Sequence, residues 1–247
     1  MMRRLRLAAL LGRLGLEVLR GLWRMRSFHR MSAAARLDAV RSWSRRVLRA
    51  GRASLQVHGQ AFQGACLVAA NHVSWLDIVA LNAAHPTRFV AKADVHRWPL
   101  LGRLVAGAGT LFIERERPRD ALRVVHDIAA CLRNAEQVTL FPEGTTSDGT
   151  HILPLHANLF QAAVSAGAVV QPVLLRYVDA VSGAPSRSAA YVGDDTLLDS
   201  LRSIAAGPRL RVHVHYLPVL RADDRRELAR STHDALRDAL QRAGASA

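Results

Sequence analysis

Two patterns of apolar and polar positions alternate along most of the chain after residue 50. Short, mostly apolar runs predict buried strands. These runs cover residues 54–57, 66–69, 88–91, 110–113, 138–141, 169–177 and 210–216. Longer stretches with helical periodicity predict helices near residues 75–84, 99–107, 118–133, 157–166 and 223–242. Because strands and helices alternate, we expect an α/β fold, with a mainly parallel twisted sheet flanked by helices.

The first 50 residues have a different pattern, with leucines on one side of a helix and arginines on another. One face holds Leu7, Leu10, Leu11, Leu14, Val18 and Leu22, and another holds Arg6, Arg13, Glu17, Arg20 and Arg24. No charge-free stretch of this segment approaches the roughly 18 residues of a membrane-spanning helix, and no clean cleavage site marks it as an export signal. Such a basic amphipathic helix is typical of a segment lying in an anionic membrane interface. The alternative is a surface helix that covers the core of its own domain. We therefore divide the chain into a membrane-attachment segment, residues 1–50, and an α/β domain, residues 51–247.

Charge and composition narrow the choice of partner. The 247 residues include 34 Lys and Arg against 20 Asp and Glu, for a net charge of +14, and Lys92 is the only lysine. This excess favours an anionic partner such as a membrane surface, although arginine bias can also reflect genome composition. Aromatic residues make up only 5% of the chain, which argues against a nucleic-acid partner. Cys66 and Cys131 lie in apolar segments without metal-ligand spacing and are interpreted as buried free thiols.

The stretch AANHVSWLDI, residues 69–78, places His72 five residues before Asp77. With 11 histidines and 14 aspartates in the chain, chance alone supplies about 0.6 such pairs. His233 and Asp238 have the same spacing, so spacing by itself decides nothing. His72, however, directly follows a predicted strand, and chemistry in parallel sheets collects at the carboxyl ends of strands. Asp77 either closes a capping box with Ser74 or accepts a hydrogen bond from one imidazole nitrogen, leaving the other to act as a general base.

Three further blocks follow in order. LFIER delivers Arg115 to the end of a predicted strand, FPEGTTS runs from Phe141 to Ser147, and QPV covers residues 171–173. Together with NHVSWLD, these blocks resemble those of the glycerolipid acyltransferase family, whose best-known members are the 1-acylglycerol-3-phosphate acyltransferases. The resemblance covers about residues 50–220, and its first and third blocks are the most specific.

The resemblance implies transfer of a fatty acyl group from acyl-CoA or acyl-carrier protein to a lysolipid hydroxyl, at the cytoplasmic face of a bacterial inner membrane. His72 would deprotonate the acceptor, Asp77 would orient His72, and the alkoxide would attack the thioester directly, without a metal or resident cofactor. Backbone amides near residues 143–145 are expected to stabilise the oxyanion. Arg115 would hold the acceptor phosphate, and Lys92 matches a frequent basic position. The residues matching the acceptor-binding block are Phe141, Pro142, Glu143, Gly144 and Thr145.

One position departs from the family pattern. Many members that form phosphatidic acid have a basic residue where this chain has Thr146. The favoured acceptor is 1-acylglycerol-3-phosphate, and Thr146 keeps a less acidic lysolipid, such as lyso-ornithine lipid, as the alternative. A serine hydrolase would need a Gly-x-Ser-x-Gly elbow, which the sequence lacks. A basic, non-enzymatic membrane-binding protein remains the other class, although it would not need His72, Asp77 and Glu143 together.

Overall fold

A computed structural model describes residues 2–92, 100–107, 110–113 and 118–245. These residues form a seven-stranded sheet with helices on both faces. The strands are β1 (Ala53–His58), β2 (Cys66–Ala70), β3 (Arg88–Lys92), β4 (Leu111–Ile113), β5 (Gln137–Leu140), β6 (Val169–Asp179) and β7 (Leu210–Tyr216). The helices are α1 (Met2–Met25), α2 (Ala33–Ala50), α3 (Leu76–Ala84), α4 (Leu101–Gly107), α5 (Pro118–Arg133), α6 (Gln161–Ala166), α7 (Leu197–Ala206) and α8 (Arg225–Ala245). Short 3-10 turns lie at Phe28–Arg30, Ala157–Phe160 and Arg187–Ala189.

The sheet is mainly parallel, which confirms the predicted fold class. Its strand order is β1-β7-β6-β2-β5-β3-β4. Among the described strand pairs, β6 and β7 alone run antiparallel. The other pairs need crossover connections, and the helices between strands provide them. Strand β2 lies near the middle of the sheet, so the segment that follows it opens onto the carboxyl edge of β2 and β5.

The core fills both faces of the sheet. Every residue of β2 is buried; Leu67 and Ala69 join a cluster with α5, while Cys66, Val68 and Ala70 join the larger cluster on the other face. A strand covered on both faces is expected to be a continuous apolar run rather than an alternating one. The run that ends just before His72 therefore anchors that residue in a well-packed part of the molecule.

Helix α2 belongs to the main core. It contributes Val47 and Leu48, and its start is capped by Ser32, whose hydroxyl accepts a hydrogen bond from the amide of Ala35 at 3.2 Å. Residues 33–50 of the predicted attachment segment are thus packed into the α/β domain.

The predicted membrane face of α1 is wrong, because that face packs on the protein. Leu10 is fully buried, and Leu7 and Leu14 pack against the main core. Glu17, also buried, binds Arg20 at 2.6 Å and Arg46 of α2 at 3.1 Å. The exposed apolar side chains of α1 are Met2, Leu5, Leu11, Leu16, Leu19 and Trp23. Apart from Leu11, they point away from the predicted face, so the helix has a second, exposed apolar face.

The length and apolarity needed to cross a bilayer are not found together in any helix of the described part of the chain.

Candidate active site

The His72–Asp77 pair forms in the loop between β2 and α3. Nδ1 of His72 lies 2.7 Å from Oδ2 of Asp77. The Asp77 side chain is fully buried, whereas the His72 side chain is 20% exposed. Because an ionised carboxylate can only accept hydrogen bonds, this contact assigns the proton of a neutral imidazole to Nδ1 and the lone pair to Nε2. In this orientation Nε2 is the nitrogen available to a substrate, and the ring retains access to solvent.

Asp77 is fixed by more than the imidazole. Its Oδ2 also accepts hydrogen bonds from the backbone amides of Val73 at 2.7 Å and Ser74 at 2.9 Å. The Ser74 hydroxyl in turn accepts from the amide of Leu76 at 3.3 Å. The carboxylate thus binds the amide of Ser74, which is one half of the predicted capping box, and it contacts His72 at the same time. The side chain of Ser74 does not complete the box, because the start of α3 has no side-chain cap.

Tyr177 is a further partner that sequence reasoning missed. This residue lies on β6, and its hydroxyl donates a hydrogen bond of 2.6 Å to Oδ1 of Asp77. Burial, together with the charge of Asp77, raises the pKa of Tyr177 well above its usual value, so the hydroxyl remains a neutral donor. The one available signal was a tyrosine inside an apolar strand, where a buried hydroxyl is expected to find a partner.

Asn71 fixes the other side of the His72 loop. Its amide nitrogen donates to the backbone oxygen of Leu175 at 3.0 Å, and its side-chain oxygen accepts from the amide of Leu175 at 2.7 Å. The side chain continues the β2–β6 ladder for one more residue after β2 ends at Ala70. Asn71 therefore sets the point at which the chain leaves the sheet and turns towards His72.

The predicted acceptor-binding block meets the His72 loop directly. The ring of Phe141 stacks on the imidazole of His72, with centroids 3.9 Å apart and planes 11° apart. Buried Glu143 accepts a hydrogen bond from the backbone amide of His72 at 3.2 Å. Burial raises the pKa of Glu143 to about 8, so its carboxyl group is largely neutral near pH 7. These contacts make both residues supports of His72.

A backbone hydrogen bond closes the turn around Glu143. Gly144 has φ of 75°, which favours glycine, and its amide donates to the backbone oxygen of Phe141 at 3.1 Å. Of the amides predicted as oxyanion donors, that of Gly144 is thus engaged in the turn. Thr145 is exposed at the surface of the same turn. The buried Ser147 donates its amide to the backbone oxygen of His72 at 2.8 Å, which ties the two loops together.

Thr146, the residue that departs from the family pattern, faces a third segment. Its hydroxyl donates to the backbone oxygen of Tyr191, and the amide of Tyr191 donates to the backbone oxygen of Val73 at 3.0 Å. The threonine therefore helps to hold residues 189–191 beside the His72 loop.

Two predicted binding residues lie outside what the structure describes. Arg115 falls in residues 114–117, outside the described ranges, and the same is true of the side chain of Lys92, whose backbone ends β3. Their roles remain predictions. Cys66 is buried, which raises its pKa to about 12 and makes it an unreactive thiol. The second histidine with the same spacing, His233, has Asp234 as its nearest acidic partner, at 3.9 Å.

Comparisons with known proteins identify the family of the chain. Residues 51–176 match the family model described as Acyltransferase. A lyso-ornithine lipid O-acyltransferase of Pseudomonas aeruginosa is 39% identical over 203 residues, covering 81% of this chain and 78% of that protein. A 1-acyl-sn-glycerol-3-phosphate acyltransferase of Neisseria meningitidis serogroup B is 40% identical over 175 residues, covering 69% of this chain and 68% of that protein.

The fold has a solved counterpart. The crystal structure of the 1-acyl-sn-glycerophosphate (LPA) acyltransferase PlsC from Thermotoga maritima matches with a TM-score of 0.70 at 18% identity, covering 98% of this chain and 97% of that one. The family match includes His72 together with Asp77 and Glu143, each of which contacts His72 at the carboxyl edge of the sheet. The chain therefore belongs to the acyltransferase family and is an O-acyltransferase.

Proposed function

We propose that this enzyme transfers a fatty acyl group from a thioester to the free hydroxyl of a lysolipid, with His72 as the general base. The observation that carries the proposal is the 2.7 Å contact between Nδ1 of His72 and buried Asp77. It leaves Nε2 as the nitrogen that can take a proton. General-base catalysis of this kind contributes about 10²- to 10⁴-fold to a rate.

The reaction then needs two proton transfers at a single nitrogen. The acceptor O–H gives its proton to Nε2 of His72 as its oxygen bonds to the thioester carbonyl carbon. The tetrahedral intermediate collapses with cleavage of the C–S bond, and the departing thiolate takes the proton back from Nε2. Asp77 stays ionised throughout and stabilises the imidazolium. Acyl-CoA or acyl-carrier protein would serve as the donor substrate.

Two acceptors are supported by specific observations. The Neisseria relative is named for 1-acyl-sn-glycerol-3-phosphate, the acceptor for which Arg115 is predicted to hold a phosphate. The Pseudomonas relative, named for lyso-ornithine lipid, aligns over a longer part of the chain. Thr146 favours the second acceptor, because it stands where many members that form phosphatidic acid carry a basic residue, and its hydroxyl is bound to the backbone oxygen of Tyr191.

The enzyme would meet its lysolipid at an anionic membrane surface, with α1 as the docking element. The outer face of this helix exposes 62% of Leu5, 61% of Leu19 and 69% of Trp23. Arginines at positions 6, 13, 20 and 24 follow one edge of this face. Apolar side chains beside arginines are the combination that binds an interface of anionic lipids. The relatives from Pseudomonas and Neisseria are bacterial, and the location that we propose is the cytoplasmic face of a bacterial inner membrane.

The two parts of the proposal are tested separately. Purified enzyme is offered acyl-CoA and acyl-carrier-protein donors with a panel of lysolipids, and the products are identified by mass spectrometry. Formation of an O-acylated lysolipid by the wild type is expected, whereas transfer to none of the panel would contradict the proposed function. For docking, Leu19→Glu combined with Trp23→Glu should weaken cosedimentation with anionic vesicles. Unchanged cosedimentation would exclude the outer face of α1 as the docking surface.

A further inference from the structure

Three histidines lie together near the open edge of the sheet, away from His72. His58 ends β1, and His213 and His215 lie on β7. Residues two apart on a strand point to the same face, so the His-x-His sequence of β7 aligns two imidazoles. The parallel register pairs His58 with His215, which adds the third imidazole to that face. One ring nitrogen from each histidine lies within 4.8 Å of those of the other two.

The cluster has a defined place on the fold. Leu174 of β6 pairs with His215 and packs with Leu236 and Ala239 of α8. Directly opposed residues on neighbouring strands share a face, so the histidines lie beside α8 and on the opposite face from the main core. All three are partly exposed, and a solvent-borne ion can therefore reach them.

The hydrogen bonds of the cluster are incomplete. Nε2 of His58 lies 2.9 Å from Nδ1 of His213, and the rings of His58 and His215 stack with centroids 4.2 Å apart. Nε2 of His215 is buried and has no hydrogen-bond partner in the described structure. A buried polar atom without a partner is destabilising, so a ligand bound to this nitrogen would stabilise the folded protein.

Two arginines share the face of the sheet on which the histidines lie, because Arg176 of β6 pairs with His213 and Arg211 is two residues before His213 on β7. Neutral imidazole is the form that binds metals. The guanidinium groups of Arg176 and Arg211 keep their positive charge and oppose a cation, and each is held by a hydrogen bond to a backbone oxygen, of Ala243 and Ala180 respectively. Their charge also favours an anion or hydroxide as a further ligand.

We propose that His58, His213 and His215 bind one divalent transition-metal ion, with Zn²⁺ as the reference ion. Zinc–nitrogen bonds of about 2.0–2.1 Å place tetrahedral ligand atoms roughly 3.4 Å apart. The present separations of up to 4.8 Å exceed this value, so the stacked rings must turn when the ion binds. Imidazole nitrogens suit zinc, copper and nickel better than magnesium or calcium. A bound ion would link edge strand β1 to β7, and it takes no part in acyl transfer.

The test is a zinc titration of the full-length protein after removal of metals with a chelator. Zinc chloride is added in competition with a chromophoric chelator, and thermal unfolding is recorded with and without zinc. We expect one zinc ion per chain and a rise in Tm of about 5 °C at a hundredfold excess over Kd. His213→Gln and His215→Gln should each weaken zinc binding by at least about tenfold. The matched control is His233→Gln in α8, which should bind zinc like the wild type.

Two results would overturn the proposal. One is wild-type affinity for zinc no higher than that of the His213→Gln and His215→Gln variants. The other is equal loss of binding in His233→Gln. His58→Gln, on the edge strand, provides an independent ligand variant if a β7 variant fails to fold. X-ray absorption of the zinc-loaded wild type should show three imidazole ligands, and a spectrum with fewer than three would exclude this ligand set.

Discussion

Two histidine–aspartate pairs in this chain have the same spacing, but only one of them forms. His72 and Asp77 lie on either side of the start of α3, where the chain turns back and brings Nδ1 to 2.7 Å from the carboxylate. His233 and Asp238 both lie within α8. Residues five apart on a helix are about 140° apart around its axis, and Asp238 instead binds Arg237 at 3.2 Å. A five-residue spacing between histidine and aspartate therefore indicates a contact only where the backbone brings the two side chains together.

The largest expected effect separates the two histidines. His72→Ala should lower kcat for acyl transfer by about 10³-fold or more, because it removes the only base proposed for the acceptor hydroxyl. His233→Ala should leave kcat within about twofold of the wild type. The rates are compared under saturating donor and acceptor, with circular dichroism as the check on folding. Equal kcat values for His72→Ala and His233→Ala would contradict a catalytic role for His72.

The two aspartates should differ almost as much. Asp77→Asn retains the shape of the side chain but removes the charge that stabilises the imidazolium, and a loss of about 10²- to 10⁴-fold in kcat is expected. Asp238→Asn, on the exposed surface of α8, serves as the matched control and should have no measurable effect. A mildly affected Asp77→Asn enzyme would show that the carboxylate mainly caps the helix.

A smaller effect is expected for Tyr177, which acts through Asp77. Tyr177→Phe removes only the hydroxyl that donates to Oδ1 of Asp77. We expect kcat to fall about tenfold with KM unchanged, because a looser carboxylate holds the imidazole less well. The control is Tyr216→Phe, which changes another buried tyrosine of the same sheet. A rise in KM with kcat unchanged, or the same loss of kcat in both variants, would argue against a positioning role.

The smallest expected effect is on the pH dependence of protein stability, and it comes from Glu143, which contacts the His72 loop. The pKa of Glu143 is raised to about 8 in the folded protein, so the folded state binds this proton more tightly than the unfolded chain. This contribution to stability is fully present below the ordinary pKa of a glutamate and is lost as the pH rises to about 8. Glu143→Gln has no such proton.

Urea unfolding of the wild type and Glu143→Gln at several pH values measures this contribution. Between pH 5 and 8, the free energy of unfolding of the wild type should fall relative to that of the variant by at least about 1 kcal/mol. Parallel curves for the two proteins would show that Glu143 is already ionised in the folded state near neutral pH.

Local patterns predicted much of the fold and the central pair of the site. The periodicity of residues 118–133 and the alternation of residues 210–216 gave the bounds of α5 and β7 as observed, because both signals come from neighbouring residues. Likewise, Ser74 and Asp77 are three residues apart, a distance at which capping is a local event. Such features can be predicted without knowing which distant residues they contact.

Long-range partners could not be predicted in this way. Tyr177 meets Asp77 across 100 residues, and Asn71 meets Leu175 across 104, and neither contact leaves a periodic trace. The faces of α1 illustrate the same limit. Two apolar faces on one helix look equivalent in a sequence, and the position of α2 and the core decides that the face with Leu10 is the buried one.

The most direct test of the account is the protonation of the His72 ring in the resting enzyme. Nitrogen NMR of protein labelled with ¹⁵N-histidine, with His72→Ala used to assign the signals, reports which ring nitrogen carries the proton. We predict that Nδ1 is protonated, Nε2 is not, and the Nδ1 proton signal moves in Asp77→Asn and not in Asp238→Asn. A His72 ring protonated at Nε2 alone would contradict the proposed base, because no lone pair would then be available there for the acceptor hydroxyl.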